Sequence, residues 1–543
     1  MSKTLFWYIL KDLLKIFLMT SGVLAGIMAF GGLLKPLMQY GLTASQVGKM
    51  LAYFMPATQT YSFAIAALFA TTVVYGRLGS DNEITACRAS GISYLALTMP
   101  AVVLGLILSI ISLVCLSFVV PHYMLKVERV AFDSLADVVQ KSIHRSHQIK
   151  IDKNVIYAES AEILPPPKDA PDDEVVRLYG PMFCSYSGRD EKNRINIPGE
   201  FYTARSATVI IHRTEDDVQF IAKLDEGTMI PREFKGASIG GIGSAEFGPV
   251  PIPSLIRENT KFMDIKQLKR LYQDPTRSRE IQALYAQVTR QEQEAEFVTM
   301  LAATLKRNRQ FHFVSEDQTY TLLIDSDVTQ LPRTNPSKLG LTCEEPGSRH
   351  IRLQRGRGGE VVATDDARQL VIRAFADTGS DLLKIRFELE DVMVGTTGRR
   401  SFTHSLSIPM PPQLREWKSR GPQYYLARGS VHSKELKEIR RKLPDLRSGI
   451  EAEIHARVSF AVSCLVLVLV GCALGMMFRT GNYLNAFALS VIPALVSLAL
   501  IITGQHVCEN DATAVRMGLA IIWSGNVAVL LLVAALMSHL RRQ

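Results

Sequence analysis

Apolar residues are concentrated at the two ends of the chain, whereas polar and charged residues dominate its middle. A helix needs about 20 predominantly apolar residues to cross the ~30 Å hydrocarbon core of a bilayer. Six segments reach that length: Leu13–Leu34, Leu51–Tyr75, Tyr94–Val120, Val458–Phe478, Leu484–Gly504 and Met517–Met537. The pattern predicts a membrane α-helical fold with six transmembrane helices, three in residues 1–120 and three in residues 458–543.

The middle of the chain predicts an inserted, extracytoplasmic region that is rich in β-strands. Short runs in which apolar and polar residues alternate, interrupted by Gly, Pro and Asp, are typical of antiparallel strands. The clearest runs are Val155–Ala158, Ala207–Ile211, Val218–Leu224, Phe247–Ile252, Tyr320–Ile324, Gln369–Phe375 and Leu383–Leu389. We expect a β domain at residues 121–262 and a second β-rich block at residues 311–412.

Two stretches with helical periodicity connect these parts of the chain. Residues 263–310 repeat apolar side chains at helical spacing, as at Ile265, Leu268 and Leu271. Residues 413–457 include a polar helix at Ser433–Lys442 that leads towards the fourth span. We expect both stretches to be helical connectors.

The net charge of +9 and the pI of about 9.1 raise the question of nucleic-acid binding. A nucleic-acid surface needs basic residues that cluster on one soluble face. Here the basic residues are scattered through the middle region and beside the apolar segments. We therefore expect no nucleic-acid partner, and a membrane surface or an anionic lipid is the better candidate.

The sequence argues against an enzyme. It contains no HExxH motif, no GxxxxGK[ST] phosphate loop, and no Cys or His spacing that indicates zinc. The chain is predicted to be a non-catalytic subunit without a cofactor or a bound metal. Its seven cysteines form no disulfide framework, and the sequence leaves open whether Cys184 and Cys343 pair.

The distribution of basic residues around the apolar segments predicts the orientation in the membrane, because short cytoplasmic loops are enriched in Lys and Arg. Basic residues that share one side are Lys3, Lys11, Lys15, Arg77, Arg88, Arg479, His539, Arg541 and Arg542. Both termini are therefore expected in the cytoplasm, with residues 121–457 outside it.

The most informative segment is the loop between the second and third spans, Tyr75–Ser93, with the sequence YGRLGSDNEITACRASGIS. Ser80 followed by Glu83 fits a capping box, which predicts that a short helix starts there. Gly91 is expected to end this helix. A short helix held between two spans is suited to dock in a groove of a cytoplasmic partner.

This loop resembles that of the LptF/LptG permeases, the inner-membrane subunits of the lipopolysaccharide export transporter. The similarity lies in "GRL…DNEI…RASGIS", in the arrangement of three plus three spans, and in "EAEIHARVSFAV" at the entry to the fourth span. It covers roughly residues 1–160 and 447–543. The resemblance implies a cell inner membrane location and a periplasmic, jellyroll-like β domain.

The resemblance also implies partners and site residues. A cytoplasmic ABC ATPase dimer, a paralogous six-span permease, a periplasmic bridge protein and a lipid substrate are expected. The loop 76–93 corresponds to the coupling helix, which assigns Arg77, Glu83, Ile84 and Arg88 to ATPase coupling. Lys35, at the outer end of the first span, matches a residue that meets lipid phosphates.

Each assignment has a simpler alternative. Glu83 would only cap its own helix, Lys35 would only extend its ammonium group to the membrane interface, and Glu453 with Arg457 would be an interfacial i,i+4 pair. For that pair we expect interfacial anchoring. Residues 311–412 are interpreted as an insertion or a second β domain of unknown role.

The sequence leads to a permease subunit of an ATP-driven lipid transporter. The alternative is a membrane-anchored periplasmic scaffold or sensor without a transport role, for which one or two spans would suffice. Neither the F-like or G-like identity of the subunit nor the exact lipid cargo follows from the sequence.

Overall fold

The computed structural model describes most of the chain. The described residues are 3–40, 44–132, 135–151, 154–166, 173–190, 195–213, 218–230, 240–251, 259–314, 319–331, 336–345, 348–357, 360–376, 382–394, 398–419, 424, 433–478 and 483–542. Arg479, one of the residues used to predict the orientation, lies outside them.

Twelve α-helices are formed by the described residues. They are α1 (Lys3–Tyr40), α2 (Ala44–Ser80), α3 (Glu83–Ala89), α4 (Tyr94–Val114), α5 (Val120–Phe132), α6 (Leu135–Ser146), α7 (Ile265–Gln273), α8 (Arg279–Asn308), α9 (Pro412–Ser419), α10 (Ser433–Met477), α11 (Tyr483–Asn510) and α12 (Val515–Arg542). Short 3₁₀ turns lie at Thr260–Phe262, Pro275–Arg277 and Ala512–Ala514, and a π-helical turn at Cys115–Val119 joins α4 to α5.

Six of these helices, in the described part of the chain, are long and apolar enough to cross a membrane: α1, α2, α4 with its continuation into α5, α10, α11 and α12. Most residues of α2 and α10 are buried, whereas the other four keep exposed apolar faces. Ile27 of α1 is 65% exposed and Leu531 of α12 is 67% exposed. Such faces suit lipid or another membrane helix.

The two central helices, α2 and α10, approach each other closely because small residues lie between them. A Cβ atom on Gly471 would lie 2.6 Å from the backbone oxygen of Leu68 and would also overlap the Oγ1 atom of Thr71. A Cβ on Gly475 would lie 2.9 Å from the backbone oxygen of Thr72. Close backbone approach at small residues is a usual way for membrane helices to pack.

Hydrogen bonds between polar side chains add to this packing. Ser463 of α10 donates from its Oγ to Oδ1 of Asn526 on α12 at 2.7 Å. Asn526 donates from Nδ2 to the backbone oxygen of Ser459 at 2.8 Å. Each member of this buried group is satisfied by another, as a polar group in the membrane interior requires.

The first β domain is one antiparallel sheet of nine strands. The strands are β1 (Gln148–Ile151), β2 (Asn154–Tyr157), β3 (Ser160–Leu164), β4 (Glu174–Tyr179), β5 (Met182–Asp190), β6 (Ile195–Thr203), β7 (Ser206–Arg213), β8 (Val218–Ile230) and β9 (Gly240–Pro251). Their order is β1-β2-β5-β6-β8-β7-β4-β3, and β9 pairs with β8. Helix α6 packs its apolar face, with Val139 and Ile143, into the core of this sheet.

The second β domain contains two antiparallel sheets. Its strands are β10 (Gln310–Val314), β11 (Thr319–Ile324), β12 (Val328–Gln330), β13 (Lys338–Cys343), β14 (Ile351–Arg357), β15 (Glu360–Ala367), β16 (Gln369–Ala376), β17 (Leu382–Val394) and β18 (Gly398–Pro409). The sheet orders are β10-β11-β14-β15 and β12-β13-β16-β17-β18. Phe313 of one sheet meets Phe387 of the other at 5.0 Å between ring centroids, so the two sheets share a core.

The predicted fold class is confirmed by the described elements: six apolar helices, three before and three after it in the chain, flank an inserted region of antiparallel strands. Each of the seven predicted runs falls largely within an observed strand, and β8, β9 and β17 extend five to seven residues beyond the predicted ends. Ile252, the last residue of one predicted run, lies outside the described residues. Cys184 and Cys343 are buried in different β domains, and no disulfide joins them.

The predicted polar helix at Ser433–Lys442 is present and forms the start of α10, which runs without a break from Ser433 to Met477. It does so although it contains Pro444, a residue that usually ends or kinks a helix. At about 1.5 Å per residue, its 45 residues span roughly 65 Å.

This helix connects the second β domain directly to the membrane. Leu436 and Ile439 of α10 are part of the core of that domain. Lys442 forms an ion pair with Glu280 of α8, and the apolar part of α10 begins at Val458. A displacement of the fourth span is therefore passed to the second β domain through a continuous helix.

Candidate functional site

The segment 76–93, which the sequence singled out, lies at one end of the helix bundle. Its first residues, 76–80, do not form a loop, because α2 continues to Ser80. Arg77 therefore lies in the last turn of α2, where its guanidinium forms an ion pair with the carboxylate of Asp12 on α1. This pair ties the beginning of α1 to the end of α2.

The predicted capping box is wrong. Ser80 still has helical hydrogen bonding, and its hydroxyl donates to the backbone oxygen of Arg77 at 2.9 Å. The N-cap of α3 is Asn82, which has a left-handed conformation with φ 60° and no side-chain cap. A capping box needs an extended residue whose side chain accepts from the third helical residue, and the continuation of α2 removes that geometry.

Glu83 is the first residue of α3 instead of the third. Its side chain is half-buried, and within the described part of the chain it forms no hydrogen bond or close ion pair, although its charge attracts the guanidinium of Arg77. A carboxylate in the first turn of a helix is favoured by the partial positive charge there. The capping-box alternative for Glu83 no longer applies, and the carboxylate is available at the surface.

The end of α3 follows the prediction for Gly91. Gly91 has φ 83° and donates its N–H to the backbone oxygen of Arg88 at 2.9 Å, while Ile92 donates to that of Cys87 at 3.1 Å. These two bonds are the Schellman pattern, in which glycine takes the left-handed position without strain. The chain then turns directly into α4, whose N-cap is Ser93.

The two remaining predicted residues of the segment fix α3 to the spans. Ile84 is buried, and its Cδ1 atom lies beside Gly79 of α2, which in turn faces the backbone oxygen of Gly475 on α10. The guanidinium of Arg88 lies 4.1 Å from the centroid of the Tyr94 ring at the start of α4. These contacts fix α3 to the end of α2 and to the start of α4.

Lys35 is the residue predicted to meet lipid phosphates. Its backbone is part of α1, but its side chain is outside the described part of the structure. A described cation occupies the same end of the bundle. The ammonium group of Lys126 lies 5.1 Å from the ring centroid of Tyr123 and 5.8 Å from that of Tyr53. Sequence reasoning missed this group, because the two tyrosines are 70 residues apart in the chain.

The sequence suggested that the Glu453–Arg457 pair anchors the fourth span at the membrane interface, and in the structure both residues of the pair are buried inside the protein. Both side chains are buried, at 8% and 4% exposure. Arg457 donates from Nε to Oε1 of Glu453 at 2.7 Å. Gln505 of α11 donates from Nε2 to the other oxygen of Glu453 at 2.8 Å. The sequence did not show this contact, because Gln505 is distant from the pair in the chain.

The same guanidinium binds the segment that follows the first β domain. The Nη2 atom of Arg457 is 3.2 Å from the backbone oxygens of Thr260 and Lys261 and 2.9 Å from that of Met263. Lys261 also lies 3.7 Å from the carboxylate of Glu509 on α11. Spans four and five and the exit of the first β domain therefore meet at Arg457.

Two histidines of the second β domain lie within hydrogen-bond distance of carboxylates. His404 Nε2 lies 3.1 Å from Asp365 Oδ2, and burial lowers the pKa of His404. His350 Nδ1 lies 2.8 Å from Asp327 Oδ2, and this hydrogen bond raises the pKa of His350. Among the described residues, no group of three or more His, Cys, Asp or Glu side chains is arranged to hold a metal ion.

Comparison with known proteins identifies one family. A family profile described as lipopolysaccharide export system permease LptF/LptG matches residues 7–163 and 257–539, which is most of the chain. The two ranges cover nearly all of the six candidate spans, and they include segment 76–93 and Arg457. The described strands that lie between the two ranges, β4 to β9, belong to the first β domain. No curated protein matches the chain.

Proposed function

The chain belongs to the LptF/LptG family of lipopolysaccharide export permeases, and from that premise we propose that it is the membrane subunit of an ATP-driven lipid transporter. In this proposal it extracts lipopolysaccharide, or a related amphipathic lipid, from the inner membrane and passes it to a periplasmic bridge protein. A separate ABC ATPase dimer hydrolyses ATP, and a paralogous six-span permease completes the membrane pathway. The chain itself is a multi-pass inner-membrane protein and a permease component.

The observation that carries the proposal is the way in which α3 is held. Ile84 is buried beside Gly79 of α2, and Arg88 lies on Tyr94 of α4, so that α3 is fixed to two spans. Glu83 keeps its carboxylate at the surface, where an ATPase groove would bind it. In this arrangement, movement of the ATPase displaces the spans through α3.

The proposed orientation places α3 in the cytoplasm and both β domains in the periplasm. Basic residues near α3, including Lys3, Lys11 and Arg88, support that assignment. At the other end of the bundle, Lys126 and Lys35 supply positive charge near the start of the β region. Charge-assisted contacts to lipid phosphate are strong, which suits a site where the lipid leaves the membrane.

Reconstitution tests the function as a whole. The chain is placed in proteoliposomes with its ATPase and the paralogous permease, and ATP hydrolysis is measured with and without lipopolysaccharide. We expect the lipid to change the hydrolysis rate and ATP to drive transfer of the lipid to the bridge protein. A rate of ATP hydrolysis that is the same with and without lipopolysaccharide, together with no transfer of lipid to the bridge protein, would favour a periplasmic scaffold or sensor.

Lys35 has its own test. With a photo-crosslinking amino acid at position 35, we expect an adduct with the lipid that forms during transport and depends on ATP, because a cation there would meet the phosphates of the cargo. The control carries the same group at Lys3, at the opposite end of α1. If position 35 yields no more adduct than position 3, Lys35 only extends its charge to the interface.

A further inference from the structure

The buried contacts of Arg457 join two parts of the chain that are almost 200 residues apart in sequence. One is the fourth span, to which Arg457 and Glu453 belong, and the other is the turn Thr260–Met263 that follows the first β domain. Gln505 extends the group to the fifth span. We propose that Arg457 is a positioning residue that makes the first β domain move as one body with spans four and five.

The chemistry of the side chain suits this role. A guanidinium presents its N–H donors in a planar, rigid fork, so a single group can bind a carboxylate with one edge and carbonyl oxygens with another. Here Nε binds Glu453 and Nη2 binds three backbone oxygens. Since backbone oxygens cannot rotate away as a side chain can, the turn is fixed in position relative to α10.

Stability alone does not account for the group. A buried ion pair loses its hydration, and an apolar replacement of similar volume is often neutral or stabilising. Within the described part of the chain, Nη1 of Arg457 has no hydrogen-bond partner, although it is buried. A buried donor without a partner is unfavourable. The buried contacts of Arg457 therefore fix the turn Thr260–Met263 relative to α10 and lower the stability of the fold.

The contacts of Arg457 with Glu453 and with the turn Thr260–Met263, called the Arg457 joint below, lie at a position on α10 from which they can transmit its movement. The apolar part of α10 begins at the next residue, Val458, so the joint lies at the edge of the membrane core. The second β domain is already continuous with this helix through Leu436 and Ile439. With Arg457 in place, both β domains follow any displacement of α10, which the close α2–α10 contact links to α3.

The test measures the position of the first β domain in the full chain, in lipid nanodiscs, without ATPase or lipid cargo. Non-canonical amino acids carry spin labels at Lys223 on β8 and Arg447 on α10, both exposed. In the parent protein we expect a narrow distance distribution. In Arg457→Lys, which keeps the charge but loses the fork, we expect a distribution about twice as wide, since domains without a fixed interface move freely.

A second variant, Glu453→Gln/Arg457→Met, removes both charges and keeps an acceptor for Gln505. It should broaden the distribution to the same extent while the thermal midpoint stays near that of the parent. The control is Ser463→Ala, which breaks a buried contact of α10 with α12 and should lower the midpoint without broadening the distribution. A narrow distribution in both Arg457 variants, or equal broadening in Ser463→Ala, would overturn the proposal.

The outcome is independent of the proposed transport function, because no transport is measured. If the distance distributions change as expected but reconstituted transport fails, the proposed role of Arg457 is supported and the proposed transport function is rejected. If transport succeeds but the distributions do not change, the transport function is supported and the role of Arg457 is rejected.

Discussion

Replacing Glu83 with alanine is expected to separate the permease from its ATPase while leaving the six-span bundle folded. The side chain forms no hydrogen bond or ion pair within the described part of the chain, so its removal costs the fold little. A hydrogen bond to a charged group contributes about 1.5–3 kcal/mol, which corresponds to a roughly 10- to 100-fold loss of affinity. Co-purification of the ATPase and ATP-driven lipid transfer measure the effect.

Asp81 provides the matched control. It is an exposed carboxylate two residues before Glu83, and it precedes α3 instead of belonging to it. Asp81→Ala removes the same charge from the same end of the bundle and should change ATPase binding only slightly. If the Glu83→Ala complex co-purified and transferred lipid like the parent, α3 would not be coupled through this carboxylate.

The geometry of α3 explains why the capping interpretation was attractive in sequence and wrong in structure. Ser80 and Glu83 have the right spacing, but spacing does not show where the preceding helix ends. The apolar core of α2 holds Leu78 in the bundle, and the helix therefore continues two residues further. Tertiary packing overrides a local capping signal of about 1 kcal/mol.

The length of the apolar segments was sufficient to predict the spans, and alternation of apolar and polar residues was sufficient to predict the clearest strands. The alternation in Gln369–Phe375, for example, became β16 with every second residue buried. The sequence did not predict that α10 continues across Pro444, because a proline normally marks a helix boundary. Contacts of α10 with the core of the second β domain, before and after Pro444, stabilise the helix at this proline.

The role of Arg457 was beyond sequence reasoning for a different reason. An i,i+4 Glu–Arg pair is common on exposed helices, where it adds about 0.3–0.5 kcal/mol. Its burial depends on Thr260–Met263 and Gln505, and no local pattern connects these positions. The one available signal was its location, directly before the apolar run that starts at Val458, where a pair of charges is costly unless other groups bind it.

Replacing Gly471 with alanine is expected to destabilise the bundle strongly and to disconnect α3 from α10. The new Cβ would overlap Thr71 Oγ1 and lie 2.6 Å from the backbone oxygen of Leu68. Thr71 cannot easily turn away, because its hydroxyl donates to backbone oxygens of its own helix. A backbone atom can move only if α2 and α10 separate, and overpacking of this kind costs about 1–3 kcal/mol.

Gly22 of α1 gives a control for the same substitution. It also lies in a membrane helix, but a Cβ there would meet nothing within 4 Å. Since alanine favours a helix over glycine by about 1 kcal/mol, Gly22→Ala should be neutral or stabilising. Thermal unfolding in detergent compares the two variants, and equal midpoints would show that α2 and α10 are not tightly packed.

Because Gly471 and Gly475 hold together the helices that carry α3 and Arg457, Gly471→Ala should also lower lipid transfer per bound ATPase. A variant that lost stability alone would show that the α2–α10 contact supports the fold without passing on the movement of α3.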